Sequence, residues 1–350
     1  MKRVLFFLIP IHAFSQEYTV KRPDEAIVPD PYLKVYFDDK NDYKRIESVT
    51  TITKNKYNSF RPDTLSITHY NNAGLQFKNI RFDNNKQSSI TLLKYDEHNN
   101  LLSWQLFENK FSTLALYSYN KNKQLQEIRQ LQIKHLNYRT DSNETSRTIF
   151  KYDNVKLVEI LSSIAGNKIV QKYIYNNKKL IRKTGTIVSK ELQYDDNMNL
   201  VSIKEYMGSE VAPDKLMEKK TFTYSNTNKL IADSILTSSN LKTNKYQISQ
   251  YTYNESGTLE LMSVKFGRSY RNIEFRYSSN KIKEVNIKTN EGNSAYLKFW
   301  IDHRIQDYYS FPIVYQEVFS YDENGNRTSK KVYINKELFS EVEYKINYKK

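Results

Sequence analysis

Tyr251-Thr252-Tyr253-Asn254-Glu255-Ser256-Gly257-Thr258-Leu259 is the stretch from which the fold can be read. Tyr251 and Tyr253 flank one polar residue, the spacing that puts both on one face of a strand. Asn254 offers a side-chain oxygen to the backbone of a turn. Gly257, the fourth residue after Tyr253, can adopt the positive φ that a short hairpin loop with a bulge requires. Leu259 restarts the apolar pattern. The nine residues predict the end of a strand, a tight turn and the start of the next strand.

The same spelling recurs along the chain. Tyrosine anchors stand at Tyr70, Tyr95, Tyr119, Tyr152, Tyr175, Tyr194, Tyr224, Tyr253, Tyr277 and Tyr321. An apolar closer follows five or six residues later: Leu75, Leu101, Leu125, Leu157, Leu180, Leu200, Leu230, Leu259 and Ile282, with Arg327 in the last copy. Phe37, Phe82 and Trp300 mark weaker copies. Before the anchors, Leu93/Tyr95, Leu192/Tyr194, Phe222/Tyr224, Phe275/Tyr277 and Phe319/Tyr321 keep the period of two. Neighbouring anchors leave room for two strands of about seven residues and two turns. Long intervals grow in the return connection, at residues 139–147, 208–214 and 237–245, while the motif turn keeps its length. The expected fold is all-β: an array of antiparallel hairpins, on the order of twenty strands, in an extended, curled sheet.

Composition agrees. The chain has 350 residues, a formal charge of +15, no cysteine, 14% aromatic residues, and only 8 Gly and 7 Pro. Those values exclude a collagen, a disulfide scaffold, a cysteine-based zinc site and a flexible linker protein. The aromatic content argues against wholesale disorder. Residues 1–15 read as a signal peptide: Lys2 and Arg3, a short apolar run, then Ala13-Phe14-Ser15 before Gln16. Residues 16–33 read as a linker, 34–62 as a degenerate repeat or cap, and 63–350 as the array. No later stretch is long and apolar enough for a transmembrane helix. Export to the periplasm, cell surface or exterior is expected.

Tyr253 to Leu259, and Tyr321-Asp322-Glu323-Asn324-Gly325-Asn326, resemble the YD-repeat, or RHS-like, family, whose pattern is Tyr-Asp-x-x-Gly-x-Leu. Tyr70-Asn71-Asn72-Ala73-Gly74-Leu75 carries the glycine but closes one residue early. The resemblance implies a curling antiparallel sheet, which large members wrap into a shell around a toxic cargo. It implies no catalytic residue, and no cargo domain is expected after the last repeat.

Chemistry-bearing motifs are sparse. There is no G-x-S-x-G elbow, P-loop, dinucleotide fingerprint or HExxH. Asp302-His303 are adjacent, and adjacent residues on a strand point to opposite faces. Acidic pairs such as Asp195/Asp196 fall at turns, where solvated Asp is ordinary filler. No cofactor or metal is expected. The positive charge is dispersed, without the stripe that nucleic-acid binding uses. Trp104, Tyr138, Tyr206, Tyr270 and Trp300 are the candidate ligand contacts, since an aromatic face can stack on a sugar ring. The reading is a non-catalytic binding or scaffold module for a glycan or another envelope macromolecule. The alternatives are an outer-membrane β-barrel, against which Lys190 and Lys220 on the aromatic face argue, and a glycan-acting hydrolase.

Overall fold

The computed structural model describes residues 43–349 except 56–58, 60, 109–110, 136–139, 165, 177–178, 186–187, 208–214, 239–245, 280 and 291–312. The stretches read as signal peptide and linker, with Phe37, Tyr138 and Trp300, lie outside the described residues. Within them the chain is antiparallel β-structure in a single sheet. The strands are β1 (Ile46–Asn55), β2 (Asp63–Tyr70), β3 (Gln76–Asp83), β4 (Lys86–Tyr95), β5 (Leu101–Glu108), β6 (Phe111–Tyr119), β7 (Leu125–His135), β8 (Thr140–Asp153), β9 (Lys156–Ile164), β10 (Asn167–Asn176) and β11 (Lys179–Gly185). They continue with β12 (Val188–Tyr194), β13 (Leu200–Met207), β14 (Lys215–Tyr224), β15 (Leu230–Thr237), β16 (Gln247–Tyr253), β17 (Leu259–Phe266), β18 (Ser269–Ser278), β19 (Lys281–Thr289), β20 (Ile313–Tyr321), β21 (Arg327–Ile334) and β22 (Glu337–Tyr348).

Each strand pairs with its sequence neighbours, and β22 pairs with β1. The extended, curled sheet expected from the repeat is therefore corrected to a closed barrel of 22 strands. The seam is a full ladder, with Val49 opposite Ile346 and Thr53 opposite Val342. Asn347 Nδ2 donates to Ser48 Oγ across it (3.0 Å), and Lys349 N–H donates to the Arg45 carbonyl (3.0 Å). Closure leaves no edge strand to be protected. β1 lies inside the stretch read as a cap and is one of the wall strands.

All ten anchor tyrosines are the last or last-but-one residue of an even-numbered strand, at one rim, and each sits at a break in register. Tyr95, for example, faces Leu101 while Lys94 faces Ser103, so Leu102 is the extra residue of a bulge. The turn residue after the anchor works as expected. Asp96 Oδ1 accepts from the His98 and Asn100 N–H groups, and Asn71 Oδ1 from Ala73 and Leu75. The fourth residue after the anchor has positive φ at Gly74, Asn99, Lys123, Met198, Asn228, Gly257 and Gly325.

Three sequence assignments shift. Tyr70 faces Gln76, not Leu75, so the first copy keeps the common spacing with a polar closer. Phe82 faces Gln87 at the opposite rim and starts no motif copy. Residues 140–147 of the polar insert are no loop: β8 runs through them from Thr140, so β7 and β8 are long strands. The other long connections, between β13 and β14, β15 and β16, and β19 and β20, do leave from the return rim.

The tyrosine face is the inner one. Nearly all buried apolar side chains, from Leu93 and Leu101 through Phe150, Ile160, Phe222 and Ile273 to Ile334, share it. The stagger agrees. Directly opposed residues run Lys94, Ser103, Leu116, Arg129, Arg147, Ser163, Lys168, descending from the motif rim to the return rim across seven strands. Strand twist gives barrels a right-handed tilt, which fixes the sense in which the chain winds. Tyr119 turns its backbone groups back to β5, because the next residue, Asn120, bonds forward to Gln124. For L-residues that combination directs the tyrosine inward.

Candidate functional site: the inner wall

Below the motif rim the inner wall begins with a chain of tyrosine hydroxyls. Each donates to the main-chain carbonyl of the preceding copy's closer: Tyr95 to Gln76, Tyr119 to Leu101, Tyr152 to Leu125, Tyr175 to Leu157 and Tyr194 to Leu180. Tyr224 reaches Leu200, Tyr253 reaches Leu230, Tyr277 reaches Leu259 and Tyr321 reaches Ile282, all nine bonds within 2.7–3.1 Å. Tyr348, ending β22, uses side chains instead: it bonds to Asp322 and accepts from Asn326 Nδ2 (2.8 Å). The phenolic oxygens are thus committed to holding hairpin to hairpin. Burial, and then Asp96 and Asp195, push Tyr119 and Tyr224 up to about 12.

Lower down, the wall divides into sectors. Across β4 to β8 the inward row is Leu93, Trp104, Ala115, Gln130 and Ser146, directly opposed strand to strand. Gln130 and Gln132 are exposed, and Trp104, Thr113, Ser146 and Thr148 half-buried. Ser146 Oγ donates to Gln130 Oε1 (2.9 Å). This row and the next, with Thr113 and Gln132, are uncharged, hydroxyl- and amide-rich, and centred on an indole beside a small residue; Glu108, Lys134 and Asp141 follow in the row at the return rim.

Across β12 to β14 the wall is charged. Lys190 Nζ pairs with Glu205 (2.7 Å) and Lys220 Nζ with Glu218 (2.8 Å), while Glu205 and Glu218 stand directly opposed. In β18 to β22 it is occluded. Glu317 is 3% exposed, accepts from the Tyr315 hydroxyl (2.7 Å) and pairs with Lys330. Burial and the Glu317 carboxylate push the Tyr315 phenol well up.

The five sequence candidates do not converge. Trp104 points inward from β5. Tyr206 and Tyr270 are on the outer face of β13 and β18, with Tyr206 donating to Glu191 Oε2 (3.2 Å). Tyr138 and Trp300 fall outside the described residues. The amides around Trp104 were missed because nothing local to Gln130 or Gln132 aligns them with β5; only the register does. Among the described residues no group of three or more His, Cys, Asp or Glu could hold a metal ion. Ser112 Oγ lies 3.0 Å from His135 Nε2, but Ser112 is 2% exposed in a regular strand, so no substrate carbonyl can reach it.

The outer face is charged on β7–β8, β12–β14 and β19–β1, whereas on β2 to β5 its middle row is apolar, with Ile67, Ile80, Ile90 and Phe107 directly opposed strand to strand. Glu191, Lys204 and Lys219 form one row at mid-height, and Glu284, Lys331, Glu341 and Lys54 belong to another. Lys331 pairs with Glu341 (3.6 Å), and Arg129 with Glu144 (2.8 Å). The lysines that argued against a membrane barrel, Lys190 and Lys220, face inward and do not test it; the outer rows do.

No protein-family model and no curated protein matches the chain. Among solved structures it is similar to the TcdB2-TccC3-Cdc42 structure at 12% identity and a TM-score of 0.32, over 79% of this chain and 19% of that one. It is also similar to a porin-like protein from Bacteroides uniformis at 12% identity and a TM-score of 0.30, over 74% of this chain and 97% of that one. A porin-like protein from Bacteroides vulgatus gives 9% and 0.24, over 86% and 98%. The chain spans about a fifth of the toxin chain it matches. At these scores none of the three assigns a family or an activity, and the YD-repeat relationship remains a resemblance of motifs.

Proposed function

We propose that the chain is an exported, non-catalytic barrel of the cell envelope or exterior that faces water on its outside and binds a neutral glycan on the inner wall around Trp104. The observation that carries this reading is the pairing of outward charges on β7–β8, β12–β14 and β19–β1 with two uncharged, accessible inner rows around Trp104. Amide and hydroxyl groups can exchange hydrogen bonds with sugar hydroxyls, while the indole face takes the apolar face of the ring. Trp104 emission during titration with oligosaccharides tests it. A saturable shift lost in Trp104→Phe, with circular dichroism unchanged, supports the reading. An emission that no oligosaccharide moves refutes lumenal glycan binding.

The other reading, a barrel spanning the outer membrane, is supported by the topology, which fits it better than the first, and by the apolar outer row of Ile67, Ile80, Ile90 and Phe107. The ring is closed and even-numbered, β1 and β22 meet at the rim with short turns, and the long connections leave from the other. Against it stand the mid-height charges outside, each cation costing roughly 2–4 kcal/mol at a bilayer midplane. Fractionation decides between them: release by osmotic shock or salt fits the water-facing barrel, and a need for detergent fits the spanning one.

A further inference from the structure

At the return rim, β16 to β20 bring together exposed apolar and basic side chains on the outer face. Ile248 opposes Lys265, and Lys265 opposes Tyr270, in one row across three strands. Lys288 opposes Val314 on the next pair. Ile248 and Val314 are 47% and 41% exposed, and Tyr246 and Tyr270 are exposed beside them. Lys265, Arg268, Lys288 and Lys336 are exposed, and among the described residues none of the four has an ion pair. The backbone here is pegged. Asn290 accepts from the Tyr270 N–H (2.8 Å) and donates to the Arg268 carbonyl (3.1 Å), and Asn335 accepts from the Val314 N–H (2.9 Å).

We propose that this corner docks the barrel on an anionic bilayer surface, with Lys265, Arg268, Lys288 and Lys336 at the headgroups and Ile248, Tyr270 and Val314 at the boundary with the acyl chains. Charge complementarity selects the occupant: four exposed cations that form no ion pair among the described residues stand at one rim. Exposed aliphatic side chains beside them suit the apolar side of an interface and offer nothing to a sugar or to a nucleic-acid backbone. The pegged turns present these groups on backbone that is already ordered, which lowers the cost of contact. The docking is peripheral and is independent of what the lumen holds.

The test is flotation of the full exported chain, purified without detergent, with phosphatidylcholine vesicles lacking or containing phosphatidylglycerol. Binding is expected only to the latter and falls as salt is raised. The K265E/R268E variant weakens it about tenfold or more. I248S/V314S weakens it at unchanged charge, and K94E, at the other rim, leaves it intact. Circular dichroism confirms that each variant keeps its strands. No binding, equal binding to both vesicles, or a K94E loss matching that of K265E/R268E overturns the proposal. A protein obtainable only in detergent instead overturns the water-facing reading, a separate failure.

Discussion

Lys229 Nζ donates to the Gly257 carbonyl at 3.1 Å, and a Cβ placed on Gly257 would stand 2.1 Å from that same nitrogen. The lysine precedes one copy's closer, and the glycine occupies the positive-φ position of the next turn. The relationship repeats: Lys281 bonds to the Gly325 carbonyl, Gln124 Nε2 to the Asn154 carbonyl (3.0 Å) and Asn199 Nδ2 to Asn228 Oδ1 (3.1 Å). Lys229 and Lys281 also lie over the Tyr253 and Tyr321 rings, at 5.2 and 5.0 Å from the centroids. Neighbouring turns are thus tied at the rim above the tyrosine hydroxyls.

Gly257→Ala should therefore cost more than its backbone strain. Gly267 also has positive φ but open space around it, so Gly267→Ala isolates the conformational cost of about 1 kcal/mol. The excess at Gly257, read from denaturation midpoints, should shrink when Lys229 is replaced by Met. Equal costs at both glycines would show that the lysine simply moves aside.

Lys123 and Met198 hold φ of 60° and 70° at the same turn position. Glycine removes the steric cost there, offset by its greater freedom in the unfolded chain. Lys123→Gly and Met198→Gly should each be neutral to stabilising by up to about 1 kcal/mol. A loss of stability in thermal melts would mean that those side chains make contacts that outweigh the strain.

Tyr175→Phe removes the donor that satisfies the Leu157 carbonyl (2.8 Å) and should lower stability by about 1 kcal/mol. Tyr206→Phe, whose hydroxyl meets Glu191 on the outer face, should change it by less than about half of that. Indistinguishable unfolding curves for the two variants would remove the hydroxyl chain from the account of stability.

The tyrosines at the rim should ionise late. With Tyr119 and Tyr224 raised to about 12 by burial, the folded barrel keeps those protons where the unfolded chain, near 10, has lost them. Their contribution is present below pH 10 and fades as pH rises from about 10 to 12. Tyrosinate absorbance should lag behind the denatured chain's over that window. Coincident native and denatured titrations would contradict the burial.

Closure can be trapped covalently because the chain has no cysteine. Thr50 and Lys345 are directly opposed across the β1–β22 seam. The T50C/K345C variant should oxidise to an intramolecular disulfide that shifts mobility on a non-reducing gel. Failure to form it in the folded protein would return the sheet to an open form.

The sequence by itself determined the local unit. Tyr-x-x-x-Gly, the polar residue after tyrosine and the period of two specify the strand end, the turn and its φ, because each depends on residues within one hairpin. The sidedness of the long connections was legible for the same reason. Gln76 was misread because a bulge position, not hydrophobicity, defines the closer. Only the tertiary structure decided closure, the inward face and the grouping of Trp104 with Gln130. Those follow from twist and stagger accumulated over 22 strands, until Val49 meets Ile346. Each pair contributes too small a rotation for any short window of residues to carry.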